Sequence, residues 1–143
     1  MYLVLCTKPK DVVSMGLRLA MGSEWSHSAI YDNDAGLVYD VTFKTGVRKQ
    51  RTSYFFTEYK HCQLIHIDVP PEKREEARQW LEDQLKKKYD FSAIVAIGVR
   101  RDWQEEDKWF CSEMTETFRT KFEKVRFNAK ASRITPQLQA IVK

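Results

Sequence analysis

Three side chains that lie far apart in the sequence are of the types that together could do nucleophilic chemistry: Cys111, His27 and Asp40. Cys111 stands in Trp109-Phe110-Cys111-Ser112-Glu113-Met114, where Phe110, Met114, Phe118 and Phe122 recur every four residues. That period is helical and marks a buried face. Cys111 then sits about 100° around the first turn from Phe110, beside backbone N–H groups with no partner inside the helix. Such a position favours a thiolate, and the same donors suit an oxyanion in acyl transfer. Position alone leaves a second reading open, in which Cys111 is a small buried apolar residue like most free cysteines.

His27 begins the otherwise apolar run Ser28-Ala29-Ile30-Tyr31, and Asp40 follows thirteen residues later in Val38-Tyr39-Asp40-Val41. A hairpin closed through residues 32–36 brings both to one face of a sheet. A carboxylate accepting from one imidazole nitrogen fixes the tautomer and leaves the other nitrogen as a base. Taken separately, an ordinary strand histidine and an exposed aspartate are equally open readings. With a cysteine at a helix start, the three types supply nucleophile, base and orienting group.

The elements that must position them can be read from pattern. Strands are expected at residues 2–6, 26–31, 37–43, 47–51 and 63–69, with a turn at 44–46. In the last of these, Ile65, Ile67 and Val69 share one face and Leu64, His66 and Asp68 the other. A helix over 11–21 has Asp11 as its cap, Val12, Met15, Leu19 and Ala20 at helical spacing, and Gly22 to end it. Pro70-Pro71 opens a second helix from Glu72 to about Tyr89, with Ala77, Trp80, Leu81 and Leu85 in a stripe and Lys86–Lys88 in the last turn. An apolar helix over 91–99, a charged loop over 100–107 and the Cys111 helix to about Phe122 complete the set. This is an α+β pattern in one domain, 1–143, with an antiparallel meander and helices after and beside it.

At this level the chain resembles a family, the circularly permuted papain-like hydrolases. These are the permuted branch of the NlpC-type cell-wall peptidases, with YiiX/YebB-like proteins among them and lecithin:retinol acyltransferase as a distant relative. Trp25–Tyr31, Val38-Tyr39-Asp40-Val41 and Gly46-Val47 match its N-terminal half. Tyr89-Asp90-Phe91 resembles the segment ahead of the nucleophile, Phe110-Cys111-Ser112-Glu113 its Cys-Ser-Glu motif, and Thr135-Pro136 with Leu138 its C-terminal pattern, shifted by one residue. The histidine precedes the cysteine, the reverse of the papain order. The resemblance implies a sheet of about five strands, barrel-like and packed against helices. It implies Cys111 as nucleophile, His27 as general base and acid, and Asp40 as the third residue, in a position that varies across the family. No cofactor is implied. The implied substrate is a peptide, amide or acyl ester.

Composition narrows the classes. Twenty-four Lys and Arg against twenty Asp and Glu give a net charge of +4 with the signs interspersed, so the basic stretches 48–51 and 86–88 read as solvated faces and nucleic-acid binding is not expected. No apolar run nears the roughly 20 residues of a membrane span, which disfavours a membrane-anchored lipid acyltransferase and leaves an amidase or peptidase. The start lacks the basic n-region of a signal peptide, so the expected location is cytoplasmic unless another factor delivers the protein. Cys6, Cys62 and Cys111 are odd in number and irregular in spacing, neither a disulfide framework nor a metal motif. His61 and His66 lie outside any motif, and Tyr31 and Tyr39 read as packing residues. The alternative from another class is a catalytically silent peptide- or glycan-binding module of the same fold.

Overall fold

The first strand, β1 (Tyr2–Thr7), is apolar along nearly its whole length because both of its faces are covered; Leu3, Val4, Leu5 and Cys6 are all buried. It lies in a five-stranded antiparallel sheet with β2 (His27–Asp32), β3 (Leu37–Thr42), β4 (Gly46–Arg51) and β5 (His61–His66), in the order β4-β3-β2-β1-β5. The computed structural model describes residues 1–8, 12–59, 61–89 and 108–142. The expected helix over 91–99, the loop over 100–107 and the Asp11 cap lie outside the described residues.

The α+β class and the five antiparallel strands hold, but the sheet is open rather than barrel-like. Its two edges, β4 and β5, do not pair with each other. Instead the segment after α3 (Arg74–Gln84) crosses the start of β4, with Val47 N–H donating to the Lys87 carbonyl at 2.8 Å and Lys86 N–H donating to that of Val47 at 3.3 Å. Gly46 makes this approach possible. Its φ of +69° is left-handed, and a Cβ there would fall 2.1 Å from the Lys87 carbonyl oxygen.

The same contact shortens the helix expected over 72–89. Pro71–Lys73 is a 3₁₀ turn, α3 ends at Gln84, Lys86 takes a positive φ of 73°, and Lys88–Tyr89 forms β6. Lys86–Lys88 are therefore not its last turn. β6 pairs in parallel with β7 (Lys108–Trp109) directly ahead of Cys111.

Alternation along each strand builds two apolar layers. Leu3, Leu5, Ile30, Tyr39, Ile65, Ile67 and Val69 pack with Ala77 and Leu81 of α3 and with Phe118 and Phe122 of α4 (Cys111–Phe122). On the opposite face, Val4, Cys6, Ala29 and Val38 pack with Phe55 of α2 (Thr52–Glu58) and with Tyr59 just beyond it. Neither α2 nor the short C-terminal α5 (Pro136–Ile141) is expected from pattern. The second starts on Thr135, whose hydroxyl accepts from the Leu138 N–H, with Pro136 at the first position.

In α1 (Val12–Met21) the stop signal is realised as a paired bond, Ser23 N–H to Arg18 C=O at 2.9 Å and Gly22 N–H to Leu19 C=O at 3.4 Å, with Gly22 at φ +56°. Met15 and Leu19, two members of its apolar stripe, are exposed. No helix among the described residues is long and apolar enough to cross a membrane.

Candidate functional site

His27 is the first residue of β2, and Asp40 lies in β3 opposite Ala29. The two are diagonal neighbours on one face, and the His27 Nε2–H donates to Asp40 Oδ2 at 3.0 Å. Asp40 is fully buried, so its charge needs partners. The next strand supplies the second: Arg48, directly opposite in the β3–β4 register, donates Nε to Oδ1 at 2.8 Å and Nη2 to Oδ2 at 3.1 Å. The guanidinium also reaches Glu58 Oε2 at 2.8 Å, and Lys8 Nζ donates to Glu58 Oε1 at 2.7 Å.

An aromatic wall closes the imidazole's flank. Tyr59 stacks on the His27 ring at 4.9 Å and 5°, and Phe55 stacks on Tyr59 at 4.9 Å and 29°. The Lys8 ammonium sits 4.4 Å from the centre of the Tyr59 ring.

Charge states follow from this packing. Burial is the strongest influence on His27 and disfavours its cation, but the bond to Asp40, the hydrogen bond and charge of Cys111 and the Asp40 charge outweigh it and push its pKa up to about 9. Burial likewise pushes against the Asp40 carboxylate, and His27 and Arg48 overcome it, holding the carboxyl below its usual range. The resting arrangement at neutral pH is an imidazolium on a carboxylate that a guanidinium also binds.

Cys111 is the first residue of α4 and only 2% exposed, among Val41, Val47, Phe110 and Met114. The helix starts on Phe110, whose carbonyl accepts from the Met114 N–H at 3.0 Å, and whose own N–H donates to Glu113 Oε2 at 3.4 Å. One turn on, Thr115 Oγ1 lies 3.1 Å from Ser28 Oγ, tying α4 to the residue after His27, and donates to the Cys111 carbonyl at 3.1 Å. Ser112 Oγ donates to the Ile134 carbonyl at 2.6 Å. These bonds fix the start of α4 against the start of β2.

The structure thus joins His27 directly to Asp40 and sets the helix start that carries Cys111 against the start of β2. His61 and His66 are exposed and apart from this group. Tyr31 packs against Tyr2 and Phe56, and Tyr39 donates its hydroxyl to Glu82 Oε1 at 2.6 Å. Arg48 was expected on a solvated face and instead anchors Asp40; its place eight residues on, across the hairpin turn at 44–46, is the signal that pairs them. Phe55 belongs to a helix without a clear apolar period and Tyr59 follows directly after it, so nothing in the sequence marks them. No family model matches the chain, and no curated protein matches it.

Proposed function

We propose that the chain is a cysteine hydrolase of the amidase or peptidase type on a permuted papain-like fold. The observation that carries this reading is the His27 imidazole held on Asp40 through Nε2 at 3.0 Å, with Cys111 at the start of the helix that Thr115 ties to the residue after His27. Nε2 is engaged, so Nδ1 is the nitrogen left for proton transfer. The Cys111 thiolate attacks the carbonyl carbon of an amide or ester, and the oxyanion faces the backbone N–H groups and the positive end of the dipole at the start of α4. His27, charged at neutral pH, gives its proton to the departing amine or alcohol as that bond breaks. Neutral His27 then takes a proton from water, hydroxide releases the acyl group as an acid, and the thiolate and imidazolium return. Asp40, set by Arg48, keeps the ring oriented. Peptide amides, those of cell walls among them, are the proposed substrate class.

The test is acylation of the whole protein by an activated acetyl ester, followed by residue-resolved mass spectrometry. One acetyl group on Cys111, absent in His27→Ala, supports the reading; acetylation that is indifferent to His27 sinks it. The 2% exposure of Cys111 favours a second reading, a catalytically silent peptide- or glycan-binding module. That reading predicts an unreactive Cys111 together with saturable binding of peptide or glycan fragments.

A further inference from the structure

The face of the sheet that carries His27 holds a row the reaction does not use. Cys6 of β1 lies opposite His27 of β2 on one side and opposite Cys62 of β5 on the other. The two sulfurs are 2.9 Å apart, with both cysteines free thiols. That is closer than ordinary non-bonded contact and about 0.9 Å longer than a disulfide bond. Directly opposed residues of an antiparallel ladder have Cα atoms about 4.5–5.5 Å apart, within the span that a disulfide bridges without backbone movement. Side-chain rotation alone can close the pair.

We propose that Cys6 and Cys62 are a peroxide-reactive dithiol that closes to a reversible cross-strand disulfide, a modification site separate from Cys111. The two members are unequal. Cys6 is fully buried, whereas Cys62 is half-buried on the edge strand, so peroxide meets Cys62 first. The electrostatics run the same way. The hydrogen bond from Cys6, and more weakly the His27 cation, lower the Cys62 pKa against the effect of burial; burial above all raises that of Cys6. The Cys62 sulfur also contacts the Tyr59 carbonyl oxygen at 3.2 Å, the acceptor for its proton in the resting thiol.

In the first step the Cys62 thiolate attacks one peroxide oxygen, the O–O bond breaks, and Cys62 becomes a sulfenic acid as hydroxide departs. The Cys6 sulfur then attacks the Cys62 sulfur, the S–S bond forms, and hydroxide leaves to combine with the Cys6 proton. Two thiols lose two electrons to one hydrogen peroxide, and two waters result. A dithiol reductant reverses the change by exchange.

The experiment uses the full chain, reduced and then treated with a small excess of hydrogen peroxide. Denatured thiols should fall from three to one, the intact mass should fall by two hydrogens, and digestion should yield one peptide pair joined through Cys6 and Cys62. Dithiothreitol should restore all three thiols. In Cys6→Ala, dimedone should trap a sulfenic acid on Cys62. Cys111→Ser should leave the cross-link unchanged, which keeps this result independent of the hydrolase reading. The proposal is overturned by a disulfide that includes Cys111, by dimers in place of the internal link, by a Cys62 that dimedone does not trap in Cys6→Ala, or by survival of all three thiols.

Discussion

The two faces of the sheet are built by the same strands and solve opposite problems. Beneath α3 and α4 the centre of the layer is dry, with Leu3, Leu5, Ile30, Ile65, Phe118 and Phe122 in one apolar cluster. Polar pairs stand at its rim, Asp32 on Arg78 of α3 and Ser28 on Thr115 of α4. Beneath α2 the apolar layer is smaller, and at its end a buried carboxylate is shared between an imidazole and a guanidinium. Ile30 serves the first face, and His27 and Ala29 the second, because successive strand side chains point to opposite sides. A slip of one residue in register would exchange the two sets. The dry face therefore specifies the register that puts His27 beside Asp40.

The largest expected effect separates chemistry from packing. Cys111→Ala should remove acyl transfer entirely, at least about 10³-fold by analogy with other nucleophile deletions, while denaturant unfolding shows a change of no more than about 2 kcal/mol. Phe118→Ala inverts this result. It opens a cavity in the dry layer and should cost about 3–5 kcal/mol by the same unfolding measurement, yet leave the His27 titration midpoint near 9.

Asp40→Asn tests the wet side. It removes the charge that binds both His27 and Arg48, so the His27 midpoint, followed by imidazole proton NMR, should fall clearly from about 9, with only Cys111 left to oppose burial. The sign for stability follows. A histidine whose folded pKa is raised contributes stability that is fully present below about pH 6.5 and is lost as pH climbs through about 9. For His27 that contribution is about 3 kcal/mol, read as the difference between unfolding free energies at pH 6 and pH 10. It should shrink in Asp40→Asn, by as much as the His27 midpoint falls. On the acid side Asp40 works the other way, its contribution present above the ordinary carboxyl pKa and lost as pH falls below it. The smallest effect belongs to Lys8→Ala. Its pairing with Glu58 is on the surface and should be worth less than about 1 kcal/mol in unfolding measurements; a larger loss would show that the outer end of the chain from Asp40 through Arg48 is structural.

The candidate site was legible unevenly. Cys111, His27 and Asp40 are visible as residue types because a helical four-residue period, a hairpin turn and a strand alternation are local patterns. Asp40 is reached through one tight hairpin, and so its contact with His27 follows from short-range geometry. Arg48 was hidden by its neighbours: among Lys49 and Arg51 it reads as one more surface cation, and only the register β3–β4 turns it inward. Met15 and Leu19 misled in the opposite direction, since a helical stripe says that a face is apolar and not that anything covers it.

By itself the sequence determined the α+β class, the chain order of the five strands of the sheet, and the chain order of histidine before cysteine, because these depend on periodicities that one segment carries alone. It did not determine where helices end against other backbone, as at Gly46 and Lys87, or that the sheet stays open. Those depend on close approaches between segments forty residues apart. Cys6 and Cys62 illustrate the same limit: fifty-six residues separate them, their spacing matches no motif, and only the pairing of β1 with β5 brings their sulfurs together.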